Sequence, residues 1–175
     1  MRRIVVMSII GLGLAFGAFY YFSWPTTLSG RSGGDEISFP DAPPEQQLHT
    51  GQFLFEVSGR HRITIVTVRL NDPSSGFALV AARVGLGDSG ASIGTASGPT
   101  PEIEALPRAP GFVLNPRDTG AFVITIRAFG PGDFVFHGIT VTYQTGWLTR
   151  SITFGPTVKV KVPADISPVP TPTST

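Results

Sequence analysis

The chain has 175 residues, a net charge of +1, 21 glycines, 16 prolines and no cysteine. Near-neutral charge argues against nucleic acid as a partner, because phosphate binding wants clustered Lys and Arg. Without Cys there is no disulfide, thiolate metal site, Cys nucleophile or lipidated anchor, so an exported domain must be held by its core alone.

Residues 4–24, IVVMSIIGLGLAFGAFYYFSW, carry no charge and are closed by Pro25. At about 1.5 Å per residue, a helix of this length crosses the ~30 Å hydrocarbon layer of a bilayer. Arg2 and Arg3 precede it and Arg31 is the first basic residue after it, so the positive-inside rule puts residues 1–3 in the cytoplasm and the rest outside. Tyr20, Tyr21 and Trp24 lie at the outer end, where amphipathic rings favour headgroups. The expectation is a single-pass protein of the cell membrane, touching lipid through this helix. The rival reading is a cleaved signal peptide, with Ala15-Phe16-Gly17 as a small-residue cleavage site and a secreted product. Uninterrupted apolar length through Trp24 favours the anchor.

Residues 25–50 are rich in Pro, Gly, Ser and charge, which predicts a stalk, with an edge strand at the island Ile37-Ser38-Phe39. Residues 51–162 carry recurrent strand signals separated by turn residues. Phe53, Phe55 and Val57 recur at every second position, between Gln52 and Ser58 and around Glu56; residues 63–68 are all β-branched, with a phase switch between Ile65 and Val66 that predicts a bulge before Leu70. Residues 77–84 are nearly continuously apolar, and residues 85–110 read as a long irregular region with one short strand around Ile93. Phe122, Ile124 and Ile126 share one face. Phe134 and Phe136 share another, and Ile139, Val141 and Tyr143 follow in the opposite phase, with Gly138 at the switch. Val158, Val160 and Val162 alternate with Lys159 and Lys161, lysines that discourage edge pairing. Residues 163–175, PADISPVPTPTST, predict an extended tail. No useful amphipathic helix appears outside residues 4–24. The fold class expected is an all-β antiparallel sandwich of seven to nine strands.

Gly132-Asp133-Phe134-Val135-Phe136 resembles the turn into the penultimate strand of immunoglobulin-like and fibronectin-like domains. Phe134 stands where those domains have the tyrosine of the tyrosine corner, and Phe136 where antibody domains have their second Cys. The resemblance implies an immunoglobulin-like architecture and no particular function.

Gly85-Leu86-Gly87-Asp88-Ser89-Gly90 matches both a dinucleotide-binding G-x-G-x-x-G and the Gly-Asp-Ser-Gly loop of chymotrypsin-like proteases. The first needs a following helix in a βαβ unit and the second needs a His–Asp pair behind Ser89; neither context is present, and a Gly/Ser loop is the simpler reading. His49, His61 and His137 lack metal-ligand spacing, and Asp72, Asp88, Asp118 and Asp133 sit in turns, where Asp bonds backbone. No catalytic residue, cofactor or metal is expected. The reading is a non-catalytic envelope module that contacts a protein partner, with a cell-wall or glycan-binding module as the alternative. Pairing Tyr143 with Leu148, Val141 with Arg150, Ile139 with Ile152 and His137 with Phe154 gathers one apolar face. It leaves Trp147 beside Gln144 at the tip as the candidate partner contact.

Overall fold

A computed structural model of the chain describes residues 26–32, 34–87 and 94–164. The candidate anchor, with Arg2, Arg3, Tyr20, Tyr21 and Trp24, lies outside these residues, as does the tail from 165 onward. No helix among the described residues is long and apolar enough to cross a membrane.

The described chain is an all-β sandwich of ten strands. They are β1 (Thr27–Ser32), β2 (Glu36–Phe39), β3 (Gln47–Ser58), β4 (Ile63–Leu70), β5 (Phe77–Leu86), β6 (Thr95–Ser97), β7 (Val113–Leu114), β8 (Thr119–Ala128), β9 (Gly132–Thr145) and β10 (Leu148–Val162). One four-residue helix, α1 (Pro101–Glu104), follows β6. The first sheet runs β1-β3-β8-β5, with β6 also on β3, and the second runs β2-β10-β9-β4-β7. Ten strands stand where seven to nine are expected: β2 falls on the edge strand expected at Ile37-Ser38-Phe39, and β1, in the Gly- and Ser-rich stretch TLSGRS, is the strand that alternation is too short to register. The stretch expected as a stalk contributes β1, β2 and the start of β3. β1 pairs antiparallel with β3, and β2 crosses to the other sheet and pairs parallel with β10.

The core lies between the sheets. Phe53, Phe122 and Phe136 are fully buried with Leu48, Ile63, Ile65, Ile124, Ile126 and Ile139. Phe136 stacks on Phe53 from the opposite sheet with ring centroids 6.3 Å apart. Two phenyl rings thus tie β3 to β9 across the sheets, and burying each ring is worth about 1.5–3 kcal/mol. The β4 irregularity falls between Ile65 and Thr67, at the phase switch read from the sequence.

Both faces of β8 are covered. Phe122, Ile124 and Ile126 face the core, and Val123 and Thr125 are buried as well. The second cover is a strap. From β6, paired with one edge of the sheet, residues 98–107 cross the outer face to the far edge, where Ala109 N donates to Ala82 O (2.8 Å) and Val84 N to Pro107 O (2.9 Å). Ile103 of α1 is buried on the way. The strap closes the free edge of β5, which would otherwise present unpaired backbone. Within the region expected to be irregular, β5 extends through Leu86, a short strand sits at Thr95–Ser97 and residues 98–107 form an outer layer, while Ile93 lies outside the described residues.

Candidate functional site

The β9–β10 hairpin sets the position of the predicted contact pair. Leu148 pairs with Thr145, Arg150 with Tyr143, Ile152 with Val141 and Phe154 with Ile139. This is displaced by two residues from the expected register. A two-residue slip leaves every side chain on its face, so the apolar pattern cannot detect it. Gly146 decides it: its φ of +58° suits the first central position of a two-residue type II′ turn. Trp147 occupies the second position and is 87% exposed. Gln144 bonds across the turn, Nε2 donating to Gly146 O at 3.0 Å. The structure therefore places Trp147 and Gln144 together at the tip.

Two other turns share that end of the sandwich, residues 59–62 between β3 and β4 and residues 115–118 before β8. The latter is bound to the end of β3 by Arg117 N donating to Val57 O (3.0 Å) and Val57 N to Asp118 O (2.9 Å). Thr26 arrives at the same end. It is 1% exposed, and its Oγ1 accepts from His61 N at 2.9 Å.

The strap covers the outer face of the first sheet, whereas the outer face of the second is open. Cross-strand rows on it read Val113–Thr64–Gln144–Thr149, then Thr67–Thr142–Ser151, then Arg69–Thr140–Thr153. Apart from Gln144, sequence reading missed this array, because β4 and β7 lie far from the hairpin in the chain and each member alone is an ordinary polar face residue. The hydroxyls bond across the strands, Thr140 to Thr153 at 2.8 Å and Thr142 to Ser151 at 2.9 Å. Lower on the same face His137 Nδ1 lies 3.2 Å from Thr157 Oγ1, and Lys159 pairs with Glu36 at 2.7 Å. A recess of about 400 Å³ lies there, lined by Ser38, Pro40, Asp133, Phe134, Lys159 and Lys161.

The remaining sequence candidates are dispersed. Gly85 and Leu86 are strand residues of β5, and Ser89 lies outside the described residues. His61 is at the upper end, His137 is exposed on the second sheet, and His49 is buried at 1% exposure on β3. Its role is structural. The Gly98 carbonyl, 2.8 Å from His49 Nε2, can only accept, so that nitrogen donates, and in the neutral ring Nδ1 accepts from Thr125 Oγ1 at 2.9 Å. His49 thereby fastens the start of the strap, and Arg83, donating to Leu106 O at 2.6 Å, fastens its end. Asp118 accepts from Asn115 N at 2.7 Å, the turn-forming role expected of it. Among the described residues, no group of three or more His, Asp or Glu side chains could hold a metal.

No protein-family model matches the chain. No curated protein matches it. Among solved structures it is similar to the ASH/PapD-like domain of human CEP192 (PapD-like domain 7), at 13% identity and a TM-score of 0.41, over 79% of this chain and 86% of that one. It is also similar to a family 123 glycoside hydrolase from Clostridium perfringens, at 13% identity and a TM-score of 0.43, over 83% of this chain but only 29% of that one.

Proposed function

We propose that the protein is a single-pass, membrane-anchored module of immunoglobulin-like type that works without catalysis, displayed outside the cell membrane to bind a protein partner in the envelope. The strand orders support the architecture: β1-β3-β8-β5 and β10-β9-β4 correspond to the ABED and GFC sheets of an immunoglobulin domain, with β2 and β7 added at the edges of the second sheet. The observation that carries the function is the asymmetry of the two outer faces. One is sealed by the 98–107 strap, and the other is an open array of Thr, Ser, Gln144 and Arg69 that ends at Trp147. A partner seated on that array meets hydroxyl donors and acceptors along its length and the Gln144 amide at its upper rim.

Affinity purification of the full chain in mild detergent tests this. The expected result is a stoichiometric protein that is lost in the double variant Thr142→Arg/Gln144→Arg while the melting temperature holds. External protease on intact cells should also remove the region after Trp24 and spare residues 1–3; protection of the sandwich would invert the topology. A second reading, binding of cell-wall glycan, is favoured by the same hydroxyl array beside an exposed indole. Retention on isolated wall polysaccharide without a co-purifying protein would select it.

A further inference from the structure

We propose that the end of the sandwich bearing Trp147 is seated on the lipid headgroup layer, with the indole and the surrounding arginines in contact with anionic phospholipid. This rests on the membrane-anchor reading and goes beyond it by naming what that end touches.

Pro25 alone separates Thr26 from Trp24, the last residue of the apolar run, so the two lie within ~7 Å of each other. Thr26 cannot swing the domain away on a tether, because it is built into the fold. Its hydroxyl is held by His61 N, and β1 begins at the next residue, opposite Ser58. A Cβ on Gly59 would stand 2.7 Å from Thr26 Cα. One residue into β1, Leu28 N donates to Tyr143 Oη at 3.3 Å, so the chain is tied to both sheets within three residues of Pro25. The expected stalk would have separated domain from membrane. Its replacement by strands removes that spacer.

The three turns around Thr26 present Arg60, Arg62, Arg117 and Trp147 at exposed positions. Their one carboxylate, Asp118, accepts from a backbone N–H in its own turn. At the opposite end, residues 40–46, 71–76 and 129–131 carry Asp41, Glu45 and Asp72 and no basic residue. The described turns thus differ in charge between the two ends, with the basic ones where the chain arrives from the apolar run, while on the strands Lys161 stands beside the acidic turns and Glu56, paired with Arg31, near the basic ones. Basic side chains are drawn to anionic headgroups within a Debye length, and Trp prefers the headgroup region to either water or hydrocarbon. β10 ends at the acidic end, where Val162 pairs with Gly132.

The test uses the full chain reconstituted into phosphatidylcholine vesicles with and without phosphatidylglycerol. A Trp24→Phe background makes Trp147 the sole tryptophan. The expected result is a blue-shifted Trp147 emission that is quenched by headgroup-region spin-labelled lipid and shielded from aqueous acrylamide. Both effects should be stronger with phosphatidylglycerol and reversed by Arg62→Glu/Arg117→Glu. Chain that floats with the vesicles while Trp147 stays fully acrylamide-accessible overturns this proposal and leaves the anchor intact. Chain that fails to float overturns both. Shielding that follows protein concentration instead of lipid composition would assign the end to a second copy of the chain, and the lipid proposal would fall.

Discussion

Replacing Gly59 by Ala should unfasten the chain where it enters the fold, and the structure gives two separable costs. The first is conformational: Gly59 has φ of +116°, a region that side chains with a Cβ rarely adopt, worth about 1–3 kcal/mol. The second is steric. The new methyl would meet Thr26 Cα and Oγ1 at 2.7 Å and Cβ at 3.0 Å, and overpacking of this kind costs about 1–3 kcal/mol. Together they reach roughly 2–6 kcal/mol, a large part of the ~5–15 kcal/mol that holds a typical domain. At about 2–4 °C per kcal/mol for a chain of this size, the melting temperature should fall by roughly 5–20 °C. The assay is thermal unfolding of the full chain in detergent, followed by near-ultraviolet circular dichroism. Gly111→Ala is the control, since Gly111 has φ of +84° and a methyl added there would meet nothing within 4 Å, so it bears only the first cost. Equal losses in the two variants would refute the packing of Thr26 against Gly59, and with it the rigid seating of the chain at that end.

The buried Thr50 hydroxyl has no hydrogen-bond partner at 0% exposure, so Thr50→Val, of nearly the same shape, should stabilise by about 1 kcal/mol in the same melting assay. A loss of stability would mean that the hydroxyl is satisfied after all. His49→Leu should leave both the Gly98 carbonyl and the Thr125 hydroxyl unpaired, at about 1–3 kcal/mol each. The loss should be local: amide exchange at residues 95–98 and at Val84 and Ala109 should quicken while β9 and β10 stay protected. Uniform acceleration would show that His49 supports the whole sandwich rather than the strap.

Much of the sandwich is legible in the sequence because period-two alternation is a local signal. Phe53, Phe55 and Val57 on β3, Phe134 and Phe136 on β9, and Val158, Val160 and Val162 on β10 all face the core as their spacing predicts. The switches at Val66 and Gly138 show in the order of residues too, since a bulge changes which neighbours are apolar. Three features required the tertiary structure. The hairpin register depends on the turn, because slips of two residues are silent in the pattern. β1 and the strap are polar, short or Gly-rich segments whose structure comes from backbone bonds to distant strands, such as Ala109 N to Ala82 O, and no local periodicity encodes those bonds. The candidate surface joins the β9–β10 hairpin to β4 and β7, which lie far off in the chain, as in the row Val113–Thr64–Gln144. By itself the sequence determined an all-β class and most of its core residues; that Trp147 is exposed rather than folded over its own sheet came from the turn. Only the folded chain decided that Trp147, the turn arginines and Thr26 share one end, because strand pairing sets which turns are neighbours and composition does not.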